Sequence, residues 1–243
     1  MTDWKFENTM IRVLSVILQQ EWGLFDLELE FHQRLISETA LTIKAERKKL
    51  TVVVDEIIKS SSDEREEEYL IGEVEEEYNN FDHYQAVYLN SLYINTYTIL
   101  ENALLHLCEN YVTQIEYIKF TKNNKKNNIS HIMYYYKFLK DFAKQEESLL
   151  KTELDILDGN YRLLRNKLVH NRYLCSEVDK VSLQSLTDVD FHYSTYNEKY
   201  RIIIKNDAFL LDFLSKIRNL IKGIYVFYDN HIIIPYIESK KTT

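Results

Sequence analysis

Four glycines and a single proline in 243 residues leave this chain few places to turn. Ordinary proteins devote roughly 12% of their residues to these two types. Tight turns use glycine where φ must be positive and proline where φ must be preset. A sandwich, a barrel or a doubly wound sheet would need many such turns, so none of them is expected. What remains is a small number of long helices, an all-α architecture. Hydrophobic residues make up 45% of the chain, which is enough for a core. The length suits one domain, or one domain with an extension.

The two cysteines, Cys108 and Cys175, stand in apolar contexts without a CxxC neighbour. Neither a disulfide framework nor a zinc cluster is expected, and a reducing cytoplasm is the expected location. Residues 1–10 show no basic stretch leading into an apolar run, so no secretory signal is expected. No window of about 18 apolar residues occurs, and Ile232-Ile233-Ile234 is too short, so no membrane partner is expected. The net charge of −8 weighs against a bulk nucleic-acid binder. It is not spread evenly, however. Residues 63–77 hold nine acids and one arginine, so this block carries the whole imbalance and the rest of the chain is neutral.

Periodicity predicts a helix over residues 8–20, with Ile11, Leu14, Ile17 and Leu18 on one side. Helical spacing continues over 25–59, where Leu27, Phe31, Leu35, Ala40, Ile43, Leu50 and Val54 line one or two faces. The β-branched run Val52-Val53-Val54 suits a strand, but its flanks are helical. Ser60-Ser61-Ser62-Asp63 is the clearest break, with an N-cap before the acidic block. Residues 81–118 are strongly helical, through Tyr84, Val87, Tyr88, Leu92, Ile99, Ala103, Leu104, Leu107 and Tyr111. Residues 121–128 are a solvated loop. Helices follow over 129–144, 147–157 and, after the punctuation of Asp158-Gly159-Asn160, from Tyr161 to about Tyr173. Residues 189–194 and 199–204 alternate around Tyr196-Asn197-Glu198 as a small hairpin. Asn206 or Asp207 caps a last helix to about Tyr228, with Leu210, Phe213, Leu214, Ile217, Leu220, Ile221 and Ile224 as its stripe. The expected organisation is a long-helix N-terminal extension over 1–80 and an up-and-down helical bundle over 81–235.

One short segment differs from the rest in its chemistry. Residues 161–173 contain Arg162, Arg165, Lys167, His170 and Arg172, and no acid lies between Asp158 and Glu177. On a helix, Tyr161, Leu164 and Leu168 form the buried stripe. Arg162, Asn166 and His170, spaced by four, share another face, and Arg165 stands one step aside. An imidazole that titrates near neutral pH can move the proton of a ribose 2'-hydroxyl or of a leaving group. A guanidinium that stays charged can stabilise the charge growing on phosphate oxygens. An amide can hold a phosphate oxygen or fix the imidazole. With the 2'-oxygen of RNA as nucleophile, neither a metal nor another cofactor is called for. One helix offers one histidine, and a twofold dimer would bring two together.

Arg165 to His170 resembles the Arg-x4-His motif of the HEPN superfamily, with the asparagine that commonly follows the arginine, here Asn166. The order of helices from Phe81 to about Tyr228 also resembles a HEPN domain, in which the motif lies late in the bundle and a further helix follows it. The resemblance covers these residues and not the first 80. It implies a homodimeric ribonuclease with a composite cleft, of the toxin, abortive-infection or defence type, with a possible antitoxin or regulatory partner. Arg165 and His170 are then catalytic and Asn166 supports them. Glu101, in Leu100-Glu101-Asn102-Ala103-Leu104, matches the glutamate that often bonds the motif from an earlier helix. Arg162, Lys167, Arg172 and Tyr173 would line the surroundings. The chain departs from toxin members that carry a tyrosine two residues after the histidine, for Arg172 stands there and Tyr173 follows. An inactive HEPN module that binds nucleotide, RNA or a protein is the other reading.

Plainer roles are open at each of these positions. His170 also suits a helix C-terminus, where the dipole favours a cation, and Arg165 suits a surface ion pair. His32, His83, His106, His131, His192 and His231 show no metal-ligand spacing and read as structural or exposed. Tyr84, Tyr88, Tyr93, Tyr97 and the run Tyr134-Tyr135-Tyr136 fit base-stacking platforms, but helical spacing favours core positions. The acidic block reads as a solvated helix face, or else as a contact for a basic partner or for the chain's own cationic cleft.

Overall fold

The computed structural model describes residues 3–60, 63–112, 129–142 and 151–230. The expected loop over 121–128, His231 and the apolar triplet that follows it lie outside them. The described chain is mostly helical, with one small antiparallel sheet. Its elements are α1 (Asp3–Ser60), α2 (Glu64–His106) continuing into a π-helical turn (Leu107–Val112), α3 (His131–Phe142), α4 (Lys151–Ile156), a second π-helical turn (Leu157–Tyr161), α5 (Arg162–His170), β1 (Leu174–Cys175), α6 (Glu177–Leu183), β2 (Val189–Ser194), β3 (Lys199–Ile204) and α7 (Asp207–Tyr228). No helix among the described residues is long and apolar enough to cross a membrane.

The helices start where the polar residues put them. Asp63 Oδ1 accepts the backbone N–H groups of Arg65 and Glu66, both at 2.9 Å, and so caps α2 at the break expected there. Ser130 Oγ accepts the N–H of Met133 and starts α3. Asn206 Oδ1 accepts from Phe209 and starts α7. Val52-Val53-Val54 is helical, inside the uninterrupted 58 residues of α1; the flanks decide, as propensity is a weak prior beside tertiary context.

By contacts the chain divides into two compact units. The first takes its described residues from Met1–Phe31, Asn95–Asn166 and Phe213–Thr243. It is a helical bundle. Trp22 of α1 packs on Tyr225 of α7, and Arg218 of α7 pairs with Asp26 of α1 at 2.9 Å. Tyr228 donates its hydroxyl proton to the Leu139 carbonyl of α3 at 2.7 Å. The α7 residues Phe213, Leu214, Ile217, Leu220, Ile221 and Ile224 are all buried. In this unit Leu18, Phe25 and Leu29 of α1 are buried, whereas Leu27 and Phe31, which share the helical spacing, are exposed. Both sets satisfy helical spacing, and only packing partners distinguish them.

Glu21 lies in this bundle beside a cavity of about 240 Å³ lined also by Phe25, Asn102, His106 and Tyr225. Burial raises its carboxyl above the ordinary value of 4.5, and His106, at 3.7 Å, partly offsets this. A carboxyl raised in the folded state contributes full stability below its unfolded pKa and loses it as pH rises through the folded value. Glu21→Gln is therefore expected to raise Tm at pH 7, and the gain should vanish by about pH 4. Thermal melts across that range check it; a gain that persists in acid would refute the burial argument.

The second unit comprises His32–Ile94 and Lys167–Asp212. The later part of α1 pairs with the earlier part of α2 through Arg47–Asp82 at 2.8 Å and Thr51–Tyr78 at 2.9 Å. The sheet has the order β1-β3-β2. The expected hairpin is present, with Val189 opposite Ile204 and His192 opposite Arg201. Two elements were not expected. Leu174-Cys175 adds a third strand, with Leu174 opposite Arg201. Helix α6 follows, started by a capping box in which Ser176 and Asp179 satisfy each other's backbone N–H groups.

The tyrosines divide as well. Tyr93, Tyr97, Tyr135 and Tyr136 are buried and Tyr134 is half-buried, but Tyr84 and Tyr88 are 65% and 60% exposed. The core positions of this stretch of α2 are Ala86, Leu89, Asn90 and Tyr93, at spacings of three and four, and Tyr84 and Tyr88 lie off that stripe. The described acids of the 63–77 block whose side chains are placed, Asp63, Glu66, Glu68, Glu75, Glu76 and Glu77, are all exposed, as a solvated face requires.

Candidate functional site

The segment singled out by its chemistry is α5, and it begins at a kink. Gly159 has φ −81° and ψ −108°, so the backbone leaves the helical region and the chain changes direction before Arg162. Tyr161, Leu164 and Leu168 are buried, as the expected stripe requires. The helix stops at His170, three residues earlier than expected. Asn171 donates its N–H to the Lys167 carbonyl at 3.1 Å as the last helical bond. Arg172 and Tyr173 then take φ of 53° and 66°. Two successive left-handed residues without glycine are strained by about 1–2 kcal/mol each. Strand pairing offsets this, for Tyr173 accepts the N–H of Ile202 at 2.8 Å.

Three cations of α5, Arg162, Arg165 and Lys167, are matched by acids that lie outside the segment. In the first unit, Arg162 Nε donates to the Asp158 carbonyl at 2.9 Å and lies 3.2 Å from the Asp158 carboxylate. Arg165 Nη2 lies 3.7 Å from Glu101 Oε2, and Arg165 Nη1 donates to Asn166 Oδ1 at 3.3 Å. The Arg165 guanidinium also stands 5.9 Å from the centre of the Tyr97 ring. Glu101 thus stands at ion-pair distance from Arg165, without a hydrogen bond between them. Its other oxygen lies 3.9 Å from His131 Nδ1. His131, at the first position of α3, stacks on Tyr135 and is exposed. The sequence reading of it as structural or exposed agrees with this exposure, and the Ser130 cap beside it starts the helix that carries it.

Tyr97 lies beneath this cluster. Burial first, then the carboxylates of Glu101 and Asp158, drive its hydroxyl far above the usual tyrosine range, against Arg162 and Arg165. It stays a neutral hydroxyl, and its oxygen is buried with no hydrogen-bond partner among the described residues.

In the second unit, Lys167 Nζ lies 2.7 Å from Asp179 Oδ2. Burial raises the Asp179 carboxyl, but hydrogen bonds from Lys167 and Ser176 outweigh it and hold the group below its ordinary value. Lys167 thus ties α5 to the cap of α6. His170 and Arg172 differ from the other cations, since both are exposed and neither side chain makes a hydrogen bond or ion pair among the described residues. Among the described residues, no group of three or more His, Cys, Asp and Glu is placed to hold a metal ion. Comparison with known proteins adds no relative, for no protein-family model, curated protein or solved structure matches the chain.

Proposed function

We propose that the chain is a metal-independent endoribonuclease of the HEPN type, active as a homodimer and serving as a defence or toxin effector. The observation that carries the reading is the state of α5. His170 at its end is exposed and makes no side-chain hydrogen bond or ion pair among the described residues, and Arg165 on the same helix lies against Glu101 and Asn166. An imidazole that no described residue engages can serve as a general acid or base. A guanidinium held by one carboxylate and one amide keeps further N–H donors for a phosphate. In the proposed reaction the 2'-oxygen attacks the adjacent phosphorus, the P–O5' bond breaks, and the leaving 5'-oxygen takes up a proton. The products are a 2',3'-cyclic phosphate and a 5'-hydroxyl. Two copies of α5 across a twofold axis would supply one imidazole for each proton transfer.

The test is cleavage of a mixed RNA pool in excess EDTA, with the ends analysed and the oligomer measured by light scattering. Cyclic phosphate ends formed by a dimer are expected at undiminished rate. Loss of cleavage in EDTA, restored by a divalent cation, would overturn the mechanism. A second reading is favoured by the ion pairs of Arg162, Arg165 and Lys167 with Asp158, Glu101 and Asp179. A cation already matched inside the chain is a structural group, and the domain would then bind a nucleotide, an RNA or a protein without turnover. RNA binding without cleavage, lost in Arg165→Ala, would favour it.

A further inference from the structure

The second unit contains a groove of about 710 Å³, within the roughly 300–1,000 Å³ of typical ligand sites. One wall is a single face of α2, presenting Asn79, His83 and Ala86 at spacings of four and three. The facing surface is the sheet. On β3, Ile202 and Ile204 are fully buried, so the alternate residues Arg201 and Ile203 turn to the groove. Arg201 lies between Leu174 on β1 and His192 on β2, and its guanidinium meets Nδ1 of His83 across the groove. The strained turn after α5 puts Arg172 and Tyr173 on the lining.

The chemistry of this lining is specific. Two guanidiniums lie on it, and neither has a carboxylate partner among the described residues; the carboxylate of the groove, Asp82, is taken by Arg47. Imidazole and phenol rings stand beside them, with the amide of Asn79. Guanidiniums hold phosphates, aromatic rings stack on unpaired bases, and an amide can bond a base edge. A paired helix offers no exposed base faces, so the rings favour a single strand. We propose that this groove binds a single-stranded RNA segment, with Arg172 and Arg201 on its phosphates and Tyr173 against a base. The choice of RNA as ligand rests on the ribonuclease reading. Because Arg172 follows His170 by two residues within the same unit, a strand in the groove would run toward the proposed proton-transfer group.

The test is fluorescence anisotropy of the full chain with a labelled, 2'-O-methylated single-stranded RNA, in which the 2'-oxygen cannot attack. Arg172→Asn keeps a residue suited to left-handed φ, and Arg201→Ala removes the second guanidinium. Each is expected to weaken Kd about tenfold and to lower the salt dependence by about one counterion. Tyr173→Asn should weaken binding with the salt slope unchanged. Variants whose Kd stays within twofold of the parent would overturn the groove, as would equal competition by inorganic polyphosphate. The ribonuclease reading fails separately: a parent chain that binds this RNA through Arg172 and Arg201, but never cuts unmodified RNA, keeps the groove and loses the enzyme.

Discussion

His170→Ala is expected to lower RNA cleavage by about two to four orders of magnitude, the usual contribution of a positioned general acid or base. The fold should not notice. The side chain is exposed and makes no hydrogen bond or ion pair among the described residues, and exposed substitutions of this kind usually stay within about 0.5 kcal/mol. The absence of partners lets the prediction discriminate. A histidine retained only for the helix terminus would leave a stability loss of a few tenths of a kcal/mol and unchanged cleavage. The control is Lys167→Met, three residues earlier on the same helix. It breaks the pair with Asp179 and disturbs the α6 cap, so it should lower Tm while cleavage per folded molecule persists. If the two variants lose cleavage equally, the imidazole has no special role and the proposed chemistry fails.

The architecture was legible wherever one residue type forced one outcome. Scarce glycine and proline implied long helices, Asp63 marked the start of α2, and the alternation around Tyr196-Asn197-Glu198 gave the hairpin. The errors share a cause. Leu27 and Phe31 satisfy the helical period as well as Phe25 and Leu29 do, and Tyr84 as well as Tyr93. Which stripe is covered depends on segments brought in from far along the chain. The cap of α6 could have been found, since Ser176-Glu177-Val178-Asp179 carries a capping-box pattern. The early stop of α5 had no such signal, because Arg172 and Tyr173 are held in left-handed geometry by a strand that only the sheet reveals. The candidate site shows the same limit. A segment without acids seemed to present a cationic patch, yet Asp158, Glu101 and Asp179 reach it from before, from an earlier helix and from after. Charge counted along the sequence overstated charge in space, and of these cations His170 and Arg172 are the two without an ion pair among the described residues.

Phe213→Ala should have the largest effect on stability. Phe213 is fully buried on α7, its ring stacked on Tyr161 at 4.8 Å and 11° and on Tyr97 at 6.2 Å and 19°. Truncating a core phenylalanine costs about 3–5 kcal/mol, combining lost transfer energy with the cavity left behind. In a chain of this size that lowers Tm by about 6–20 °C. The site should suffer beyond the average of the molecule. Tyr161 immediately precedes Arg162, and Tyr97 lies beneath the Arg165 guanidinium, so the lost ring supported both the start of α5 and the platform of its arginine. Phe213→Leu separates the two effects. It retains most of the buried volume, so Tm should recover substantially, but a branched alkyl group cannot stack face to face with two tyrosines. Cleavage by Phe213→Leu, measured well below its own Tm, should therefore stay below that of the parent. A Phe213→Ala chain that melts within 2–3 °C of the parent, a loss of only about 1 kcal/mol, would mean that the three rings do not form the core of this unit, and Arg165 would have to be positioned by Glu101 and Asn166 alone.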